Sequence, residues 1–103
     1  LTSIVISEGI ISIGFGAFWG CTGLTSVILP DSLTTIYGFA FNSCSTLTSI
    51  VIPISVTTII DYAFDYCDAL TIYAEASSKP AGWEDDWNIN FNSEVPVVWS
   101  WVE

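Results

Sequence analysis

The side chains of this chain that could do chemistry are few in kind: 11 acids, 3 cysteines, 5 tryptophans, one basic residue (Lys79) and no histidine in 103 residues. Carboxylates beside aromatic faces can bind a sugar, and a pair of them can hydrolyse one. Clustered carboxylates can hold calcium. Cysteines can bridge, bind zinc or attack a substrate, but with no histidine there is neither a Cys/His pair nor an imidazole base. Spacing decides among these chemistries. Cys21, Cys44 and Cys67 stand 23 residues apart each time. An odd number of thiols at a fixed interval reads as a stacked row of small apolar fillers inside a core. Parallel stacking points neighbouring thiols the same way, which suits disulfide torsion poorly.

The acids are lopsided. Only Glu8 and Asp31 precede residue 61, whereas Asp61, Asp65, Asp68, Glu75, Glu84, Asp85, Asp86, Glu94 and Glu103 follow, which makes the C-terminal end the solvated end. Trp83 and Trp87 beside Asp85 and Asp86 form the candidate ligand site, with a carbohydrate as the ligand chemistry. Adjacent Asp85 and Asp86 do not normally face each other across a substrate, so the plainer reading is that tryptophan closes a core while acid keeps its outside soluble. Asp61, Asp65 and Asp68, or the acids of 84–86, are a conceivable calcium set, but their spacing does not match the EF-hand loop; no metal ligand and no cofactor is assigned. No glycine loop cradles a phosphate, and catalysis is not expected. A net charge of −10 repels nucleic acid and anionic membrane surfaces. No apolar run approaches the roughly 18 residues needed to span a bilayer, and the start of the chain has no signal-peptide pattern.

The elements that must position these groups follow from the repeat. Three full units, 1–23, 24–46 and 47–69, are followed by a partial one over 70–73. Their apolar rows are Leu1, Leu24, Leu47 and Leu70; Ile4, Val27 and Ile50; Ile6, Leu29 and Ile52; Ile10, Leu33 and Val56; Ile13, Ile36 and Ile59. The pairs Ala17-Phe18, Ala40-Phe41 and Ala63-Phe64 precede the cysteines. Rows that stay apolar in every unit are expected to face inward. Ile4 and Ile6 alternate with Ser3 and Val5, the period of a strand, and Pro30 and Pro53 end that strand in the later units. A second extended stretch (10–13, 33–36, 56–59) leads to a tight turn, and the AFxxC segments are short enough to be a helical or 3₁₀ turn. A lone unit cannot offset the entropy of ordering itself, so each must be covered by its neighbour.

LTSIVI, LTSVIL and LTSIVI followed by the IPxSVTxIxxxAFxxCxxL pattern resemble the BspA-type leucine-rich repeat over residues 1 to about 73. The resemblance implies a β-rich, leucine-rich-repeat-type right-handed solenoid with short strands. It also implies a non-catalytic module of a cell-surface or secreted protein that contacts a protein ligand on a host or neighbouring cell. The chain departs from the commoner leucine-rich repeat, which carries Asn or Cys two positions before its next Leu: Ser32 and Ser55 stand there, with Gly9 in the first unit, and no Asn ladder is expected. Residues 74–103 leave the period and read as a C-terminal cap, with Trp83, Trp87, Phe91, Val97, Val98, Trp99 and Trp101 on its apolar side. Ser77–Gly82 is expected to turn, GWEDDWN to make one helical turn and PVVWSWV to end as a strand; the resemblance extends into this tail.

Solenoids present extended faces, and the outward row Ser3, Val5, Ser26, Ile28, Ser49 and Val51 is the candidate protein-binding stripe. A structural stalk or capping segment is the competing role. Because residue 1 is not Met and opens a repeat, the chain reads as the C-terminal piece of a longer protein whose further repeats would cover its first strand. Left open, the inward faces of Leu1, Ile4 and Ile6 predict association through that edge. All three cysteines are expected to resist alkylation together.

Overall fold

The computed structural model describes residues 2–90 and 93–102; Leu1, Phe91 and Glu103, each named above, lie outside them. Ten short strands follow one another: β1 (Thr2–Val5), β2 (Ser12–Ile13), β3 (Leu24–Ile28), β4 (Thr35–Ile36), β5 (Ser49–Ile52), β6 (Thr58–Ile59), β7 (Thr71–Ala74), β8 (Ile89–Asn90), β9 (Ser93–Glu94) and β10 (Val97–Val98). The first strand of each coil stacks on that of the next in a parallel sheet of order β1-β3-β5-β7-β10, and the second strands form a parallel sheet of order β2-β4-β6. Ser26 pairs with Ser49 and Val27 with Ile50; Ile13 pairs with Ile36 and Ile36 with Ile59. The chain is thus a β-solenoid whose period in space is its period in sequence.

The inward rows of the second and third units are the core. Leu33, Ile36, Ala40, Phe41, Leu47, Ile59, Ala63 and Phe64 are wholly buried, and the rings of Phe18, Phe41 and Phe64 stack face to face down the axis at 5.3 and 5.5 Å. The first unit carries the same row types but does not bury them equally. Ile10 is 43 % exposed, Ala17 is exposed, and Ile4, Ile6, Phe18 and Cys21 are half-buried. Equal inward packing of the three units is therefore corrected for the first: its far side has no coil stacked on it among the described residues.

No helix occurs among the described residues. The AFxxC segments are sharp turns of mixed bonding. In the first unit the amides of Ala17, Trp19 and Cys21 close i→i−3 turns on Gly14, Gly16 and Phe18, whereas those of Gly16, Phe18 and Gly20 donate to Gly38, Ala40 and Asn42 of the next coil. The expected 3₁₀-type closure uses every second amide, and the others act as rungs between coils. Buried backbone groups are thereby paired without a regular helix or strand.

Hydroxyls add a second set of rungs. The Ser32 Oγ–H donates to the Ile10 carbonyl at 2.8 Å and Oγ accepts from the Gly9 amide at 2.9 Å. Ser55 donates to the Leu33 carbonyl at 2.6 Å, and Thr46 to Thr22 and Leu24. Serine here ties each coil to the one before it, at the position where the commoner repeat carries Asn.

The segment expected to cap the stack keeps the coil after the sequence has lost the repeat. Trp83 makes a parallel bridge to Ile59, so it extends the row Ile13, Ile36, Ile59, and its indole N–H donates to the Val56 carbonyl at 3.1 Å. Val97 and Val98 then pair with Ile72 and Tyr73, which makes β10 the fifth strand of the large sheet. Between them β8 and β9 pair antiparallel, Ile89 with Glu94 and Asn90 with Ser93. Residues 85–88 make the turn expected within GWEDDWN. Gly82 is required by space: a Cβ there would collide with the Thr57 carbonyl.

Candidate functional site

Three places on this scaffold gather side chains able to meet a ligand. The first is the outer face of the large sheet. Pairing Val5 with Ile28 and Val51 with Tyr73 sets the outward residues in one line, with Val5 69 % and Ile28 59 % exposed. Ser3, Ser26 and Ser49 form the parallel hydroxyl line, Ser3 being exposed and the other two half-buried. The apolar line continues through Tyr73 to Val98; Tyr73 lies where the period slips, and Val98, expected on the apolar side of the cap, is instead 43 % exposed on this outer face. Beside it a pocket of about 300 Å³ is lined by Ile28, Leu29, Asp31, Val51, Pro53 and Glu75. The carboxylate of Glu75 is committed to the Ile54 amide at 2.8 Å.

The second place is the cap. A cavity of about 410 Å³ is bordered by Lys79, Asp85, Trp87, Asn88, Glu94 and Trp99, among others. Of the four cap residues named from sequence, Asp85 and Trp87 border it, but Trp87 is only 2 % exposed, so the expected indole face for a sugar is corrected: both Trp83 and Trp87 belong to the core. Trp83 is buried in the core against Trp87 and Trp99. Asp86 turns away to meet Asp61. Burial, then the facing Asp61 carboxyl, hold the Asp86 carboxyl above its ordinary value, and its Oδ1 is buried with no hydrogen-bond partner.

The third place was not legible as a site in the repeat. On the turn side of the coils Trp19 stacks on Phe39 at 5.2 Å and 12°, and Phe39 on Tyr62 at 5.8 Å. Phe15 meets Phe39 edge-on at 5.4 Å. Phe15 is 68 % and Trp19 53 % exposed. Phe39 and Tyr62 hold φ of 58°, in the left-handed region that Gly16 occupies in the first unit. For a residue with a Cβ that conformation costs about 1–2 kcal/mol.

The cysteines are all unbridged. The Cys44 thiol donates to the Phe18 carbonyl at 3.1 Å and Cys67 to that of Phe41 at 3.0 Å. Burial pushes the Cys44 thiol up to about 11, and burial together with the neighbouring Cys44 pushes Cys67 up to about 12. Cys21 is only half-buried, so the expectation that all three are shielded alike is corrected for it. Among the described residues no group of three or more Cys, Asp and Glu is placed to hold a metal ion.

Parallel sheets of one short strand per coil, an inward row at a fixed offset and a hydroxyl ladder at the position of the usual Asn define a leucine-rich-repeat type of solenoid. The sequence pattern described as BspA type Leucine rich repeat region matches residues 1–78, in 6 copies, and this chain belongs to that family. It is similar to a crystal structure of a leucine rich cell surface protein from Faecalibacterium prausnitzii A2-165: 42% identity, a TM-score of 0.71, and coverage of 84% of this chain. The chain spans 22% of that protein's length. No curated protein matches it.

Proposed function

We propose that this chain is a non-catalytic recognition module of a cell-surface or secreted protein, and that it binds a protein ligand through the outer face of its large sheet. The observation that carries the reading is the in-register line Val5, Ile28, Val51, its first two members exposed and Val51 half-buried, on a sheet whose other face is the core. Isolated apolar residues on a surface are ordinary, but an aligned row beside a pocket is the geometry of a docking face. Ser3, Ser26 and Ser49 supply hydroxyls along its edge. Likeness to a protein described as a leucine rich cell surface protein supports a surface location for this chain too.

The test uses the triple variant Val5→Lys, Ile28→Lys, Val51→Lys and peptides selected on the wild-type chain from a random display library. The peptides are expected to bind the variant at least about tenfold more weakly, three central apolar contacts having been lost, while its circular dichroism is unchanged. Undiminished binding would favour the stalk reading. The cavity bordered by Asp85, Asn88 and Glu94 favours a second reading, carbohydrate binding at the cap through polar groups and not through the buried Trp87. A glycan array probed with wild type and with Asp85→Asn is the check, and absence of any signal that depends on Asp85 would end it.

A further inference from the structure

The ring column on the turn side sits where local stability opposes it. Row 16 of the repeat is left-handed in each full unit; the first unit fills it with Gly16, and the next two fill it with Phe39 and Tyr62. Strained conformations carried on bulky, partly exposed rings point to use of those rings. The column also has a charge partner. Tyr62 follows Asp61 in the chain and donates its amide to the Asp86 carbonyl, so the two facing carboxyls stand at the end of the column away from Trp19. Ionising Asp86 is opposed by its burial and by the facing Asp61 carboxyl, and Asp86 Oδ1 is left without a partner.

We propose that the column Trp19, Phe39, Tyr62, with Phe15 edge-on and the carboxyls of Asp61 and Asp86 at its end, is a second docking surface, for an arginine-rich extended segment of a partner protein. A guanidinium lies flat on an aromatic face and at the same time offers N–H donors to carboxylates. An extended basic segment laid along the column places one such group on Trp19 and another at the Asp61–Asp86 pair. The chain's own charge favours this occupant: 11 acids against one lysine draw basic partners and repel acidic ones. A neutral proline-rich or sugar ligand also packs on rings but leaves the paired carboxyls uncompensated.

The experiment is calorimetric titration of the full chain with acetylated, amidated hexa-arginine at near-physiological salt, with hexa-glutamine as the control. Saturable binding of the arginine peptide alone is expected. Phe39→Gly with Tyr62→Gly keeps the net charge and suits the backbone at both positions, and should weaken binding about tenfold. Trp19→Gln, at an exposed position, is the second ring variant should the double one fold poorly, and a several-fold loss is expected. Asp61→Asn with Asp86→Asn should weaken binding too, whereas Ile28→Ser on the sheet face should not. No saturable binding, equal binding of hexa-glutamine, ring variants that bind like wild type, or a loss confined to Ile28→Ser would each overturn the proposal. The last of these would assign the basic peptide to the sheet face and leave the reading of that face intact.

Discussion

The first coil and the third carry nearly the same words, LTSIVI each time, and have different physical lives. Phe64, Cys67 and Val56 are buried in the third; their counterparts Phe18 and Cys21 are half-buried in the first, and Ile10 is exposed. The side chains are the same or similar, so their burial is conferred by the adjacent coil. Stability in such a stack is a sum of neighbour contacts and is lower where a neighbour is lacking.

The largest effect expected from that difference is in the phenylalanine column. Phe41→Ala, between two stacked neighbours, should cost about 3–5 kcal/mol of unfolding free energy, and Phe18→Ala less than half as much, both read from urea melts. Equal losses would break the comparison. The cap should behave as a true neighbour to the third coil, so Gly82→Ala, which drives a Cβ into the Thr57 carbonyl, should destabilise by about 1–3 kcal/mol and expose Cys67 to labelling.

The thiols sharpen the comparison further. Under native conditions iodoacetamide should modify Cys21 and spare Cys44 and Cys67. The buried pair also sets an alkaline limit. Their folded values are raised, so the thiols ionise near the ordinary 9.0 when unfolded but only near 11 and 12 when folded. The stability they contribute is fully present below about pH 9 and is lost as pH rises through about 11–12. Melting temperature should fall over that window, and Cys67→Ala should flatten the fall. The smallest effect concerns Asp86. Its raised value means that ionisation opposes folding, so its contribution is present at acid pH and lost as pH rises through the folded value; Asp86→Asn should raise the melting temperature slightly at pH 7.

Most of the fold was readable because a strict period states which side chains share a row, and rows that stay apolar must face inward. The row of Ile13, Ile36 and Ile59 is a case in point. Ser32 and Ser55 were visible as departures from an Asn pattern, but that their hydroxyls would bond to the previous coil was not, since it depends on how far that coil's carbonyls lie. The ring column escaped notice because it crosses rows: Trp19 stands at position 19 of its unit, Phe39 and Tyr62 at position 16. The signal present was Gly16 in that row, which marks a left-handed backbone. The meeting of Asp61 with Asp86 and the run of the apolar line into Tyr73 and Val98 fall where the coil outlasts the repeat, and alignment has nothing to say there.

Native-state hydrogen exchange at low denaturant reads the central claim directly, because it reports the opening free energy of each amide. The amides of Gly16, Phe18 and Gly20 and those of Phe39, Phe41 and Ser43 make the same kind of rung to the following coil. If stacking on both sides sets stability, the first three should open at clearly lower free energy than the last three, which should approach the global value. Equal opening free energies for the two sets would contradict it.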